Sequence, residues 1–596
     1  MATRSFGWVQ DSGSFDNMKK ILKALCPDDE FHNLLKEKLI PTFVPERYGR
    51  QELLDALELK SIPYSLLKGA GVSCQLTENE NVEMFGYTQA QAKAIVKKGG
   101  RGNAACTGIA QICLKAQKNL PNGLKKPYQG DWQADGFIRL GVSIGFLDYD
   151  YQNDTCSLSA LGKQFAETQD GSNEEKDAIG DALLSYPPAC RVLELLLQYG
   201  HLTKFEIGEK LGFTGEAGFS SIPQNIFVSG YCLAPDNEKT SIRQNTEGTS
   251  DKYARMIATW FVDIGWVSRV PKVVTEHFAG REYTTEIGQS YILTIKGRNQ
   301  CKRICGNSSM AAVPKIVYKD MLATKAEGKE YLRDRRALIL KYLSSEKTLN
   351  DIQSHLKNKG FDEDVVTIED DIRNFVNIGL HIKEQNGKFS VTDTIQKLVV
   401  PVAVTSAKSS LLLSKDKIRK QLTKVNHRYL VLLDLAYDSS SNRDFEIETM
   451  RLLTDELKYE GTHLGGASKP DGVFYYNSDG VIVDTKAYSG GYSLPISQAD
   501  EMIRYIEENK QRGNINPNKW WDNFSPAVSA FSYLFVSSSF VAGYQDRIDY
   551  IKKRTACDGG VITAENLLLF AEELLTARIS YTDSFNYLKC NQQVVI

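Results

Sequence analysis

Two carboxylates and an ammonium group stand close together late in the chain. They lie in the run Lys469-Pro470-Asp471-Gly472-Val473-Phe474-Tyr475-Tyr476-Asn477-Ser478-Asp479-Gly480-Val481-Ile482-Val483-Asp484-Thr485-Lys486. Two short β-rich stretches flank a polar turn, which predicts a hairpin. Asp484 and Lys486 are two apart and so share one face of their strand. With a four-residue turn over 477–480, Tyr476 pairs with Val481 and Asp471 falls opposite Lys486. Asp484 then lies on the diagonal, within reach of a shared ion. Carboxylate oxygens suit Mg²⁺, a hard cation, and Mn²⁺ is expected to substitute. Such a metal polarises a phosphate and acidifies a bound water. A lysine beside it can orient or deprotonate that water, or stabilise charge on a five-coordinate phosphorus. The set therefore suits phosphodiester hydrolysis. Glu446, on a helix expected over 444–456, either completes the metal shell or is a solvated helix carboxylate. The bare pattern is also met by an ordinary Pro-Asp-Gly turn ahead of a strand that ends in charge.

The elements that would bring this chemistry to a substrate lie earlier. A helical stretch runs into an Ile-Gly pair three times, at Ile144-Gly145-Phe146, Ile264-Gly265-Trp266 and Ile378-Gly379-Leu380. Each glycine suits a helix C-terminus, where a positive φ is needed. Strand, polar turn and strand follow. In the third copy His381-Ile382-Lys383-Glu384 and Lys388-Phe389-Ser390-Val391 flank Asn386-Gly387, a strong hairpin signal. Helices followed by such a wing form a winged helix, whose second helix commonly enters the major groove of DNA. The second copy carries polar base-reading types around a helix expected over 251–262: Gln244, Glu247, Lys252 and Arg255. In the first copy the candidates are Gln10, Asp11, Arg101 and Trp132, with Lys97, Lys98 and Arg101 expected in a mobile basic loop. The third copy bears Asp362, Glu363, Asp364, Glu369, Asp370 and Asp371, which would repel phosphates. It reads as a module for protein contact that docks the nuclease, or as a solvated helix face. Residues 401–412 are small, polar and weakly charged, and read as a linker.

At 596 residues the chain needs three to five domains. Its 42% hydrophobic and 24% charged residues are those of an ordinary soluble protein. No apolar run approaches a membrane span, and the N-terminus lacks a signal-peptide pattern, so a cytoplasmic protein is expected. A net charge of −2 excludes a globally basic nucleic-acid binder, so contact with DNA must come from local patches. The 11 cysteines include no C-x-x-C pair. Cys301 and Cys305 are closest, with no histidine near them in sequence, so buried or free thiols are expected rather than zinc.

Longer runs carry a resemblance. Gly461-Thr462-His463-Leu464-Gly465-Gly466, the Pro470–Asp484–Lys486 hairpin, Ala487-Tyr488-Ser489-Gly490-Gly491-Tyr492 and Gln498-Ala499-Asp500-Glu501-Met502 closely resemble the FokI-like family of Type IIS restriction endonucleases, of the PD-(D/E)xK nuclease superfamily. So do Phe6-Gly7-Trp8-Val9-Gln10, Ser185-Tyr186-Pro187-Pro188-Ala189, Ser250-Asp251-Lys252-Tyr253-Ala254-Arg255-Met256 and Arg335-Arg336-Ala337-Leu338, in the same order, over essentially the whole chain. The resemblance implies an α/β multidomain protein. Three winged-helix recognition subdomains (1–166, 167–306, 307–400), a linker (401–412) and an α/β nuclease with a central mixed sheet (413–596) are expected. It implies an enzyme that binds a short asymmetric duplex site and cuts both strands at a fixed distance to one side, with Mg²⁺. Asp471, Asp484 and Lys486 fall on the family's catalytic positions. Gln10, Arg101, Trp132, Glu247, Lys252 and Arg255 fall near its base-reading positions, and Lys469 is counted with the DNA-binding residues. Asp11 and Gln244 both stand where the prototype has asparagine, so the target, GGATG-like, is expected to differ at one or two positions. An insertion lies around Arg101. Asp500 and Arg504, at i, i+4, make either a local helix pair of about 0.3 kcal/mol or a reciprocal pair across a two-fold dimer; the resemblance favours the dimer. Partners expected are double-stranded DNA, a second copy of the chain and a cognate DNA methyltransferase, in a bacterial cytoplasm. The competing readings are a DNA-binding regulator with a dead nuclease, and a nicking enzyme whose nuclease does not dimerise.

Overall fold

The repeated Ile-Gly pair marks the same structural joint three times. The structure, a computed structural model, describes residues 13–69, 75–99, 103, 105–114, 131–217, 222–247, 251–278, 281–307, 309–323, 328–466, 468–513, 516 and 518–596. Gly145, Gly265 and Gly379 have φ of +80°, +75° and +98°. The next residue's N–H reaches back to the carbonyl five positions earlier: Phe146 to Gly141, Trp266 to Phe261, Leu380 to Phe375. This closure satisfies orphan carbonyls at a helix end and favours a residue without Cβ.

A three-stranded antiparallel sheet of one fixed order accompanies each joint. A short strand pairs with the second wing strand, which pairs with the first. The three sets are Ile62–Pro63, Thr155–Leu158 and Leu147–Asp150; Leu202–Thr203, Ser290–Leu293 and Val267–Arg269; Lys347–Thr348, Lys388–Val391 and Ile382–Gln385. With their helices these are three winged helices. In the third, Asn386 and Gly387 take φ of +53° and +70° and make the two-residue turn expected of Asn-Gly. The modules pack their apolar faces into one continuous core. Two local expectations shift. The second module's helix runs Lys252–Asp263. Lys97 and Lys98 sit in the last turn of helix Gln89–Lys98, which a Thr88–Gln91 capping box starts, and not in a loop.

Most of the acidic residues named in the third module are held by cations. Asp371 accepts from Arg335 Nε (2.8 Å) and Arg336 Nε (2.7 Å), and Glu363 from Arg335, with all four side chains buried. Asp370, on helix Val365–Asn377, instead faces the C-terminal domain. It accepts from Arg419 Nε at 2.9 Å and His427 Nδ1 at 2.7 Å. Lys329 and Lys415 meet at Asp434 (3.2 and 2.5 Å). Glu209 of the second module accepts from Arg451 (2.8 Å) and Arg428 (3.2 Å). The segment read as a linker is strapped down: Thr405 donates to Asp334 (2.9 Å), the Val404 N–H to Lys359, and Lys408 bridges Glu363 and Asp416. Residues 410–412 belong to helix Ser410–Gln421, so the connection ends at Ser409, whose side chain caps that helix.

The C-terminal domain is built on a mixed six-stranded sheet: β1 (Glu460–His463), β2 (Gly472–Tyr476), β3 (Asp479–Lys486), β4 (Ala530–Ser537), β5 (Gly559–Thr563) and β6 (Gln593–Val594), in that order. The pairs β1–β2 and β2–β3 are antiparallel and the rest parallel. Both faces are covered, so the strands read as nearly continuous apolar runs. Phe474, Val481, Val483, Leu534 and Val536 feed one core. Val473, Tyr475, Ile482, Tyr533 and Phe535 feed the other, beneath a helix α1 (Ile496–Gln511) that contributes Met502, Tyr505 and Ile506.

Candidate active site

The hairpin that carries the carboxylates is tighter than the sequence suggests. Tyr476 pairs with Asp479 and Gly472 with Val483, so the turn has two residues, Asn477 and Ser478, with Asn477 at φ +54°. The left-handed turn matches the right-handed twist of the strands. Continued outward, this register sets Asp471 opposite Asp484, and not Lys486. The slip is two residues, so every side chain keeps its face. By alternation Asp471, Asp484 and Lys486 share the face of Val473 and Ile482, the one under α1.

There the groups lock together. Lys486 Nζ donates to Asp484 Oδ1 at 2.9 Å. Asp471 Oδ2 accepts from the Thr485 N–H (2.7 Å) and hydroxyl (3.0 Å), which fixes the plane of that carboxylate. Asp484 is 5% exposed. Burial first, and then the facing Asp471, push its carboxyl up to about 8. Burial also lifts Asp471 above the usual carboxylate range; Lys486 opposes this and Glu446 adds to it. Burial works against the Lys486 ammonium, but Asp484 and Asp471 outweigh it and hold its pKa above the ordinary lysine value. Like charges facing each other at short range with a single lysine as counterion leave an excess of negative potential.

Glu446 lies on helix Asn442–Arg451 and meets His463 of β1, with His463 Nε2 at 3.2 Å from Glu446 Oε2. Sequence reasoning missed two neighbours. His463 has no role readable in sequence, because only the fold sets it beside Glu446. Glu501, on α1, adds its charge to the environment of both Asp484 and Lys486. It lies 2.9 Å from the Tyr505 hydroxyl, whose single proton it shares with the Lys469 carbonyl, also at 2.9 Å. The signal was helical spacing: Glu501 lies four residues before Tyr505, on the flank of α1 that carries the buried Met502 and Tyr505. Lys469 shares a cleft with Glu446, His463 and residues of the second module, among them Phe227 and Glu238. Burial lowers the Lys469 pKa, against the pull of Glu238.

Asp500 and Arg504 are both exposed on α1. They do not pair with each other. Asp500 accepts from the Tyr550 hydroxyl (3.1 Å) and Arg504 donates to Glu501 (3.1 Å). In the second module Gln244 is exposed, while Lys252 and Arg255 are half-buried at the start of their helix. Glu247 is buried, with its carboxylate taken by Arg243 (2.8 Å) and the Gln289 N–H (3.0 Å). These contacts anchor the π-helical segment Arg243–Glu247. Trp132 lies on helix Asp131–Ser143. Gln10, Asp11 and Arg101 lie outside the described residues.

Comparison with known proteins matches the chain segment by segment. It is similar to the FokI recognition domain, subdomain 1, over residues 4–168 and subdomain 2 over 175–309. It matches the FokI D3 domain over 322–387 and the FokI cleavage domain over 408–595. It is 37% identical to the Type II restriction enzyme FokI of Planomicrobium okeanokoites, covering 96% of this chain and 95% of that one. It is 28% identical to the Type II restriction enzyme StsI of Streptococcus sanguinis, over 97% and 93%. The solved structures of FokI alone and of FokI bound to DNA each superpose with a TM-score of 0.88 at 36% identity over the whole of both chains.

Proposed function

The chain belongs to the FokI family of Type II restriction enzymes, a site-specific deoxyribonuclease, and we propose that its reaction centre is Asp471, Asp484 and Lys486, loaded with Mg²⁺. One observation carries this reading: two facing carboxylates, one nearly sealed from solvent, share a single ammonium. The donor set fits a hard divalent cation, because two facing carboxylates, Asp484 buried and Asp471 half-buried, need more positive charge than Lys486 supplies. Asp471 and Asp484 would hold the ion, with Glu446 beside them, and Mn²⁺ would fit the same oxygens. When bound, the ion supplies Lewis acidity toward the scissile phosphate. Thr485 keeps the Asp471 carboxylate in plane through two hydrogen bonds. Lys486 Nζ, held by Asp484, stays protonated and donates to a non-bridging oxygen or orients the attacking water. His463 restrains Glu446.

Gln244, Lys252 and Arg255 are proposed to face the bases, with Gln10, Asp11, Arg101 and Trp132 completing the reading surface. Lys469 would bind a phosphate near the cut. Glu247 is proposed to stand with Gln244, Lys252 and Arg255 at the base edges, on the π-helical segment that it shares with Gln244. The site is short and asymmetric, GGATG-like with a changed position, and cutting falls at a fixed distance to one side. One reaction centre cuts one strand, so a second copy is needed; the exposed Asp500 and Arg504 would pair reciprocally across a two-fold axis. Since the nuclease is held by ion pairs from both the second and third modules, its release is proposed to accompany DNA binding. Among the described residues no helix is long and apolar enough to cross a membrane. A bacterial cytoplasm, shared with a methyltransferase that protects the host's own sites, is the setting proposed.

The test is a plasmid with one cognate site. Wild type with Mg²⁺ gives linear product, and Lys486→Ala binds the site with unchanged affinity and leaves the plasmid closed. Cutting by Lys486→Ala at the wild-type rate overturns the assignment.

A further inference from the structure

Away from the nuclease, three side chains of different donor type converge between the second and third modules. Glu194 lies on helix Pro187–Tyr199, Cys305 ends the short helix Lys302–Cys305, and His381 enters the third module's wing. In sequence no histidine is near Cys305, but the fold brings His381 beside it. One ligand atom from each residue lies within 4.8 Å of the other two. His381 Nε2 is 2.6 Å from Glu194 Oε1. Its Nδ1 is 3.0 Å from Asp393 Oδ1, and its backbone N–H donates to Asp393 Oδ2 at 2.8 Å. Asp393 therefore fixes the ring with Nε2 turned toward Glu194 and Cys305. A carboxylate behind the distal nitrogen is the usual support of a metal-binding histidine. Cys305 is exposed, whereas most described cysteines are buried. The cluster opens into a cleft walled by Arg191, Gln198, Lys383 and Thr392.

We propose that Glu194, Cys305 and His381 form a site for a borderline divalent cation, Zn²⁺ foremost, that clamps the second module to the third. A mixed nitrogen, sulfur and oxygen set suits Zn²⁺ and its neighbours and not Mg²⁺, so this site is chemically distinct from the nuclease centre. Zinc bonds of about 2.1 Å to nitrogen and oxygen and about 2.3 Å to sulfur place tetrahedral donors roughly 3.4–3.6 Å apart. The cluster already lies within side-chain adjustment of that spacing. On binding, the His381–Glu194 hydrogen bond is replaced by one metal bond from each. The Nε2 proton and the Cys305 thiol proton leave to solvent, and water takes the fourth position. Glu194, the Cys305 thiolate and Asp393 together outweigh the positive walls at Arg191 and Lys383. The modules are held close beside the site: a Cβ on Gly379 would sit 2.0 Å from the Pro187 carbonyl oxygen. A metal here fixes the angle between the base-reading module and the module that docks the nuclease.

The test titrates metal-free, full-length protein with Co²⁺ as an optical probe, since thiolate ligation gives a ligand-to-metal charge-transfer band that carboxylates do not. One equivalent should give the band, Zn²⁺ should displace it, and Zn²⁺ should slow alkylation of Cys305. Cys305→Ser, at an exposed position, should fold as wild type and lose the band. Asp393→Asn should keep the band and weaken Co²⁺ binding about 10- to 100-fold. No thiolate band under excess Co²⁺, or a band that persists in Cys305→Ser, overturns the proposal.

Discussion

Removing one charge, Asp370→Asn, should loosen the nuclease from the recognition half. Asp370 belongs to the third module and its two partners, Arg419 and His427, to the nuclease side. All three side chains are at most 20% exposed. Asparagine keeps the shape and removes the charge. Truncating one partner of a desolvated charge pair costs about 2–5 kcal/mol. Arg419 retains Asp416 at 2.5 Å, and the groups are not sealed, so the low end applies, about 2 kcal/mol. That shifts the docked-to-open equilibrium by about 30-fold. The third module itself should be spared, because Arg335 and Arg336 use Asp371. Amide hydrogen exchange in DNA-free protein reads the effect. Amides of helix Ser410–Gln421 and the turn His427–Leu430 should exchange about 30-fold faster, and those of Glu330–Tyr342 should not change. Unchanged exchange at the first two segments would refute the argument that this pair holds the nuclease.

The same contact should depend on pH. Burial opposes the His427 cation, but Asp370 and the Leu422 carbonyl outweigh burial and Arg419, so its pKa is raised in the docked state. A raised value contributes docking stability in full below the undocked value of about 6.5 and loses it as pH rises through the docked value; exchange corrected for base catalysis should therefore quicken with pH in wild type and not in Asp370→Asn. Asp371→Asn should destabilise the third module by about 3–5 kcal/mol, since two buried guanidinium groups lose their shared partner; the denaturant midpoint measures it, and a loss under about 1 kcal/mol would contradict the pairing seen. Charge reversal at Asp500 and Arg504 together, to Arg and Asp, should restore the complementarity that either single reversal removes. Counts of nicked against linear product at low enzyme concentration report this, and double-strand cutting by both single variants would exclude these residues from a dimer. Glu501→Gln should lower the negative field on Asp484 and Lys486 and so change the metal concentration needed for half-maximal cutting while leaving DNA affinity alone.

Local signals were readable where one residue type decides the geometry. Three Ile-Gly joints and the Asn386-Gly387 turn follow from positive φ, and they carry the winged-helix reading. The nuclease hairpin was read on the right face but two residues out of register. Face depends on parity, whereas register depends on a turn length that Asn477-Ser478-Asp479-Gly480 leaves open. The i,i+4 pair of Arg243 with Glu247 was open to reading in sequence, whereas the Gln289 N–H reaches Glu247 only once the strands after the helix fold back. Long-range charge pairing was illegible for the same reason. The acid run of the third module reads as repulsive in sequence, while the fold supplies Arg335, Arg336, Arg419 and His427 to neutralise it. Cys305 and His381 are likewise joined only by the packing of two modules.

We propose that one chain reads a short asymmetric site and cuts beside it through a metal-loaded Asp471–Asp484–Lys486 centre. Incubating the protein with random duplexes, with Mg²⁺ or with EDTA, and sequencing the ends tests it directly. Ends should fall at one fixed distance from a single asymmetric motif, with Mg²⁺ only, and be absent for Lys486→Ala. A motif that is enriched by binding yet never cut, with Mg²⁺ or Mn²⁺ and at high protein concentration, would contradict it and leave a binding protein with a vestigial nuclease.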